Sequence, residues 1–95
     1  MYAVIGRFVF RTAPDAALRA RVEEEIIDPL SKLPGFRALY FIRATDTDTT
    51  VVHLWDSQTD AERGLQLIVP RTQQLAAEGF VGAVERSMGE VVAQR

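Results

Sequence analysis

Two residues able to share one piece of chemistry stand close together in the chain: His53, the single histidine, and Trp55, the single tryptophan. On a β-strand, residues two apart project from the same face at a separation of about 7 Å, so imidazole and indole would meet in one pocket. Near neutral pH a histidine can accept a phenolic proton, and a deprotonated phenol is electron-rich enough to pass an electron to dioxygen. An indole adds a rigid aromatic wall and one N–H donor. His53 and Trp55 are therefore the expected catalytic pair. Tyr40 carries a hydroxyl able to orient a substrate oxygen. Arg43, like Arg7 and Arg37, carries a guanidinium that can grip a carboxylate or phosphate at two points. Tyr40 and Arg43 are the expected substrate-binding residues. Against each stands a plainer reading: a bonded strand histidine, a core tryptophan, a packed tyrosine, and arginines paired with Glu85 or Glu90.

Other chemistries find little support. One histidine and no cysteine leave a metal centre dependent on carboxylates, and these show no convergent ligand spacing. Neither a metal nor an organic cofactor is expected. No glycine-rich phosphate loop or nucleophile elbow occurs. The net charge is −2 and the basic residues are scattered singly, so neither nucleic acid nor an anionic membrane is an expected partner. The apolar opening stretch is broken at Arg7, which argues against a signal peptide or a membrane span. A cytoplasmic location is the expectation, and the absence of cysteine fits a reducing compartment.

The elements that must position these residues follow from the apolar patterning. Tyr2 to Arg11 (YAVIGRFVFR) is β-branched and aromatic and reads as a strand. Asp15 is a candidate N-cap for a helix bearing Leu18, Val22, Ile26, Leu30 and Leu33 on one drifting stripe. Pro29 lies inside that pattern and predicts a kink, or a stop and restart, between Glu25 and Pro29. Phe36–Ala44 and Thr49–Asp56 read as two strands joined in a hairpin. Thr59 to Glu62 has the form of a capping box that opens a second helix, which Pro70 is expected to interrupt and Gly79 to stop. Phe80–Met88 supplies a fourth strand.

The order is βαββαβ, an α+β ferredoxin-like arrangement in which two helices cover one face of a four-stranded antiparallel sheet. The chain has 95 residues and a mass of 10.6 kDa, which suits a single domain over residues 1–95. Both phases of the strands carry large apolar groups, with Phe36, Tyr40 and Ile42 in one phase of the second strand and Leu39 and Phe41 in the other. Helices shelter only one face, so a homodimer with sheet against sheet is expected.

Pro34-Gly35-Phe36 leading into the second strand, and Val51-Val52-His53-Leu54-Trp55-Asp56-Ser57 followed by a helix beginning near Asp60-Ala61, resemble the antibiotic-biosynthesis-monooxygenase-like family of dimeric α+β barrel proteins. The resemblance spans nearly the whole chain. It implies a dimeric α+β barrel and, among the family's activities, cofactor-independent oxygenation of small aromatic or quinol-type molecules in a pocket between sheet and helices. The family's pocket tryptophan corresponds to Trp55. Its asparagine and tyrosine positions fall on Val51 and near Ala61, so two of those three groups are missing. The haem-degrading branch relies on a strand-one asparagine and on a tryptophan and histidine in the second helical region, and none of these is present. Two functions are therefore expected as alternatives: a monooxygenase-like enzyme, and a non-catalytic homodimer that binds a small apolar or aromatic ligand or interacts with a neighbouring protein.

Overall fold

The computed structural model describes residues 1–95. Strand β1 (Tyr2–Phe10) leads to a helical segment made of α1 (Ala16–Val22), a π turn (Glu23–Ile27) and α2 (Asp28–Ser31). Strands β2 (Phe36–Arg43) and β3 (Asp48–Trp55), helix α3 (Gln58–Ala77) and strand β4 (Val81–Glu90) follow. The four strands form one antiparallel sheet in the order β2-β3-β1-β4, a ferredoxin-like α+β fold. No helix is long and apolar enough to cross a membrane.

Strand register decides which side chains meet the helices. Val4 pairs with His53, Gly6 with Val51 and Tyr2 with Trp55 on β1 and β3, while Gly6 also faces Arg86 on β4. This face packs against Leu18, Ile26, Leu30, Ile68 and Leu75 from the helices and forms the core. On β3 the alternation is complete: Thr49, Val51, His53 and Trp55 are buried, and each residue between them is half-buried.

The expected phase of β2 holds except at its first residue. A bulge between Phe36 and Ala38 sets Phe36 opposite Trp55 and Ala38 opposite Leu54, so Phe36 joins Leu39 and Phe41 on the helix side. The extra residue at a bulge reverses one end of a strand without changing its composition.

The prolines of the two helical segments have different outcomes. Before Pro29 the regular helix gives way, where an irregularity was expected, to the π turn, with the Asp28 N–H donating to the Glu23 carbonyl. Four-residue spacings overshoot a 100° per residue helix by about 40° at each step, so Leu18, Val22, Ile26 and Leu30 would drift by about 120°. A wider turn lowers the rotation per residue and returns Leu30 to the buried side, where it is 1% exposed. The same widening relieves the carbonyl that would clash with the proline ring.

Helix α3, in contrast, runs through Pro70 without interruption. Pro70 removes only the donor to the Gln66 carbonyl, and the next three carbonyls also receive side chains: Arg71 Nη1 donates to Leu67 O, and Thr72 Oγ1 is 3.1 Å from both Ile68 O and Val69 O. The helix also begins earlier than the Thr59–Glu62 capping box implies. Ser57 is the N-cap, accepting from the Asp60 N–H at 3.2 Å and donating to the Asp60 carboxylate at 2.9 Å. The cap therefore sits two residues upstream of Thr59, and a hydroxyl–carboxylate bond stands in place of the return backbone bond of a capping box. Gly79, at φ 86°, follows the helix end as expected.

The opposite sheet face carries no helix. Ile5, Tyr40 and Ile42 are 45%, 56% and 50% exposed there, beside the half-buried Val9, Val52 and Leu54. Arg7 and Asp48 form an ion pair on the same face, with Arg7 Nη2 2.6 Å from Asp48 Oδ2.

Candidate functional site

Strand β3 delivers His53 and Trp55 to the same buried face, and the two side chains bond directly. Trp55 Nε1 donates to His53 Nδ1 at 2.7 Å, with the rings edge to face at 5.8 Å. Phe36 meets the indole edge-on from β2 at 5.5 Å. Trp55 is fully buried because α3 comes unusually close to it at Gly64, where any β-carbon would collide with the indole ring.

The bond fixes the chemistry of the histidine. A neutral imidazole has one donor and one acceptor nitrogen, and the indole N–H requires Nδ1 to be the acceptor. The ring proton therefore sits on Nε2. Burial, reinforced by the positive charge of Arg86, pushes the His53 pKa down from 6.5 to about 4. At neutral pH His53 is an uncharged hydrogen-bond donor through Nε2. Taking up a proton at Nε2 would first require its present proton to move to Nδ1, which would break the bond to Trp55.

His53 lines a small cavity between the sheet and the helices, of about 30 Å³, whose walls are apolar apart from Gly6, His53, Thr72 and Arg86. That is about the volume of one water molecule. Beyond Phe10, Val22 and Phe41, which wall both spaces, a groove of about 260 Å³ opens between the start of the first helical segment and the β2–β3 hairpin. Arg43 lines this groove with Arg19, Glu23 and Asp46. Trp55 does not line the cavity; it backs His53 from behind.

The four residues singled out in the sequence are therefore not gathered into one site. His53 faces the cavity, Trp55 supports it, and Arg43 stands at the outer groove. Tyr40, which pairs with Val52, lies on the helix-free face of the sheet and cannot orient a ligand beside His53. Arg7 and Arg37 are engaged by Asp48 and Asp56 rather than by Glu90, and Glu85 lies 4.0 Å from Arg7. No group of histidine, cysteine or acidic side chains converges as metal ligands would.

Sequence reasoning passed over Arg86 and Thr72. Arg86 Nη2 donates to Thr72 Oγ1 at 2.6 Å, its guanidinium carbon lies 5.6 Å from the centre of the Phe8 ring, and its Nε is buried without a partner. The available signal was an arginine between Val84 and Met88 in the apolar phase of β4.

No family model and no curated protein matches the chain. Solved structures do. SnoaB, a cofactor-independent oxygenase from Streptomyces nogalater, superposes with a TM-score of 0.76 over 98% of this chain and 94% of its own, at 18% identity. The chain has the SnoaB fold. A provisionally named antibiotic biosynthesis monooxygenase from Deinococcus radiodurans shares that fold at a TM-score of 0.74, with 100% of this chain and 96% of the other covered at 12% identity. A dimeric ferredoxin-like protein from an uncultured marine organism gives 0.71, covering 99% and 90% at 15% identity. These neighbours agree with the resemblance carried by Pro34-Gly35-Phe36 and the segment ending in Trp55-Asp56-Ser57. Within the SnoaB fold, the positions assigned to the missing asparagine and tyrosine are occupied by the buried apolar residues Val51 and Ala61.

Proposed function

We propose that residues 1–95 act as one domain of a homodimeric, cofactor-independent monooxygenase-like protein whose ligand is a small aromatic or quinol-type molecule. The observation that carries this reading is the apolar cavity between sheet and helices lined by His53, whose Nδ1 is taken by Trp55 and whose remaining group is the Nε2 donor, in a fold shared with a cofactor-independent oxygenase.

The reaction balances without an added electron donor. A quinol and dioxygen yield a hydroxyquinone and water, with the ring supplying the electrons and one oxygen atom retained in the product. The protein's part is to seat the ring among Phe10, Val22 and Phe41, to exclude water, and to stabilise negative charge on a ring oxygen through the His53 Nε2–H. His53 thus acts as a donor, in place of the proton acceptor that its sequence context suggested. The ring loses its proton to solvent at the groove before it is enclosed. Trp55 is a positioning residue that holds the imidazole in the donor tautomer.

Size sets the order of events. The inner cavity admits a diatomic molecule but no ring, while cavity and groove together approach the roughly 300 Å³ at which small-molecule sites begin. The ring therefore occupies the groove, and the side chains of Phe10, Val22 and Phe41 shift to join the two spaces.

A non-catalytic ligand-binding homodimer is the second reading. It is favoured by the 2% exposure of His53 and by the commitment of Nδ1 to Trp55. Oxygen uptake by pure protein with a panel of hydroquinones separates the two. Protein-dependent uptake that falls in His53→Ala supports the oxygenase, and no uptake above the buffer rate across the panel retires it.

The dimer rests on the uncovered sheet face. Ile5, Tyr40 and Ile42 form an apolar surface that a second copy would bury, and one structural neighbour is described as dimeric.

A further inference from the structure

Arg86 is a cation with no carboxylate beside it. None of the cavity's lining residues is acidic, Arg86 makes no ion pair, and its single side-chain hydrogen bond is Nη2 to Thr72 Oγ1. The guanidinium spans two environments, because Arg86, Thr72 and Val81 line both the inner cavity and a second groove between α3 and β4.

Such an arrangement is costly in the empty protein. Charged groups taken from water require pairing, and the buried, unpartnered Nε–H forfeits the hydrogen bonds water would give it. The Phe8 ring beneath the guanidinium offsets part of this cost. Burial pushes the pKa of Arg86 downward, as expected for a desolvated cation.

The strand pairing shows how the local sequence accommodates the arginine. Gly6 stands between Arg86 on β4 and Val51 on β3. A β-carbon at Gly6 would come to 3.1 Å from the Phe8 ring and 3.9 Å from Arg86 Cγ. The absent side chain leaves a lane in which the Phe8 ring and the arginine stem lie over β1. Arg86 also lies on the helix-covered face, so a second copy docked on the opposite sheet face would not supply its counter-charge.

We propose that Arg86, with the Nε2 donor of His53, forms an anion-recognition site, and that the ligand is a small aromatic molecule bearing an anionic oxygen, as a carboxylate or a phenolate. This rests on the aromatic-binding reading given above and adds Arg86 as the residue that selects the ligand's charge. The polar side chains lining the cavity are His53, Thr72 and Arg86, and with Nδ1 taken by Trp55 the groups that the imidazole and guanidinium have left to offer are N–H donors. The Thr72 hydroxyl is already occupied by Arg86 and by the α3 carbonyls. A site rich in donors and poor in acceptors selects against neutral hydroxyls and for anions.

The test is a binding titration that needs no turnover. Protein labelled with nitrogen-15 is titrated with benzoate or its neutral isostere benzamide, and with 4-nitrophenolate or the neutral 4-nitroanisole. The reporters are the single indole N–H of Trp55 and the Nε–H of Arg86. The wild type should bind each anion at least tenfold more tightly than its neutral counterpart, with the Arg86 Nε–H resonance moving only for the anion. Benzoate alone showing the preference assigns a carboxylate, and nitrophenolate alone a phenolate. In Arg86→Met the preference should vanish, and in Arg86→Lys it should persist in weakened form.

Equal affinities in the wild type, a preference that survives in Arg86→Met, or no binding of any probe would each overturn the site. The Arg86 resonance of the wild type remains decisive even if Arg86→Met does not fold. Anion preference without oxygen uptake would end the oxygenase reading and leave this one standing, and uptake without anion preference would do the reverse.

Discussion

The indole N–H of Trp55 ends on Nδ1 of His53, and neither ring reaches solvent. A protonated imidazole has no acceptor, so charging His53 removes this bond and places a second cation near Arg86. With the His53 pKa near 4 in the fold against 6.5 ordinarily, the unfolded chain takes up the proton first as pH falls. The corresponding stability is complete above pH 6.5 and is lost progressively between pH 6.5 and 4, amounting to about 3 kcal/mol. Denaturant unfolding at pH 7 and pH 5 should show a clear loss in the wild type. His53→Gln, whose amide oxygen can still accept from Trp55, should show much less, since the ion-paired carboxylates Asp48 and Glu78 have lowered pKa values and remain charged in that interval.

Gly64 is where α3 touches Trp55. Gly64→Ala would gain about 1 kcal/mol of helix propensity but must force its methyl into the indole ring, and overpacking costs about 1–3 kcal/mol. A net loss of stability is expected. Chemical denaturation of Gly64→Ala, Trp55→Phe and the double variant should show less than the sum of the single effects, because the smaller ring vacates the contested space. Additive losses would place the strain elsewhere.

If the uncovered sheet face is an interface, a charge at its centre should divide the dimer. Light scattering at micromolar concentration should give twice 10.6 kDa for the wild type and 10.6 kDa for Ile5→Asp or Ile42→Asp. An undivided wild type of 10.6 kDa would remove the dimer from the proposal.

Oxygen uptake, once a reactive quinol is found, should depend on the Nε2 donor. Loss of a single hydrogen bond to a developing oxyanion lowers kcat by about 100- to 1,000-fold, so His53→Ala should fall in that range. Trp55→Phe keeps the imidazole but frees its tautomer. It should lose less activity than His53→Ala, and its pH profile above pH 5 should keep the wild-type shape, because burial and Arg86 still hold the imidazole neutral.

Much of this was legible in the residues because β1 and β3 are runs of β-branched and aromatic residues and the breaks at Asp15 and Gly79 are local signals. The exceptions share a physical cause: each depends on one residue's phase within a run of suitable types. The bulge at Arg37 carries Phe36 across the sheet, and Ser57 wins the cap over Thr59 because α3 begins immediately after β3 ends. Pro70 stays inside α3, whose buried side from Ala61 through Ile68 to Leu75 carries the helix past the one missing bond. The site was harder to read. His53 and Trp55 were visible from their spacing, but which nitrogen holds the proton depends on a contact that spacing does not specify. Arg86 became visible only once β4 was registered against Gly6.

At the π turn of Glu23–Ile27 chain length and helix phase trade against each other. One surplus residue is stored there as girth rather than length, so a relative lacking it could thread the same sheet with an ordinary helix and a one-position gap. Excising a residue from Glu23–Ile27 would let the coil run as an ordinary helix with Leu30 eleven positions after Leu18, about 20° from it and still on the buried side. The insertion is thus a phase corrector, and aligned sequences should lose or keep it together with the four-residue rhythm of Leu18, Val22, Ile26 and Leu30.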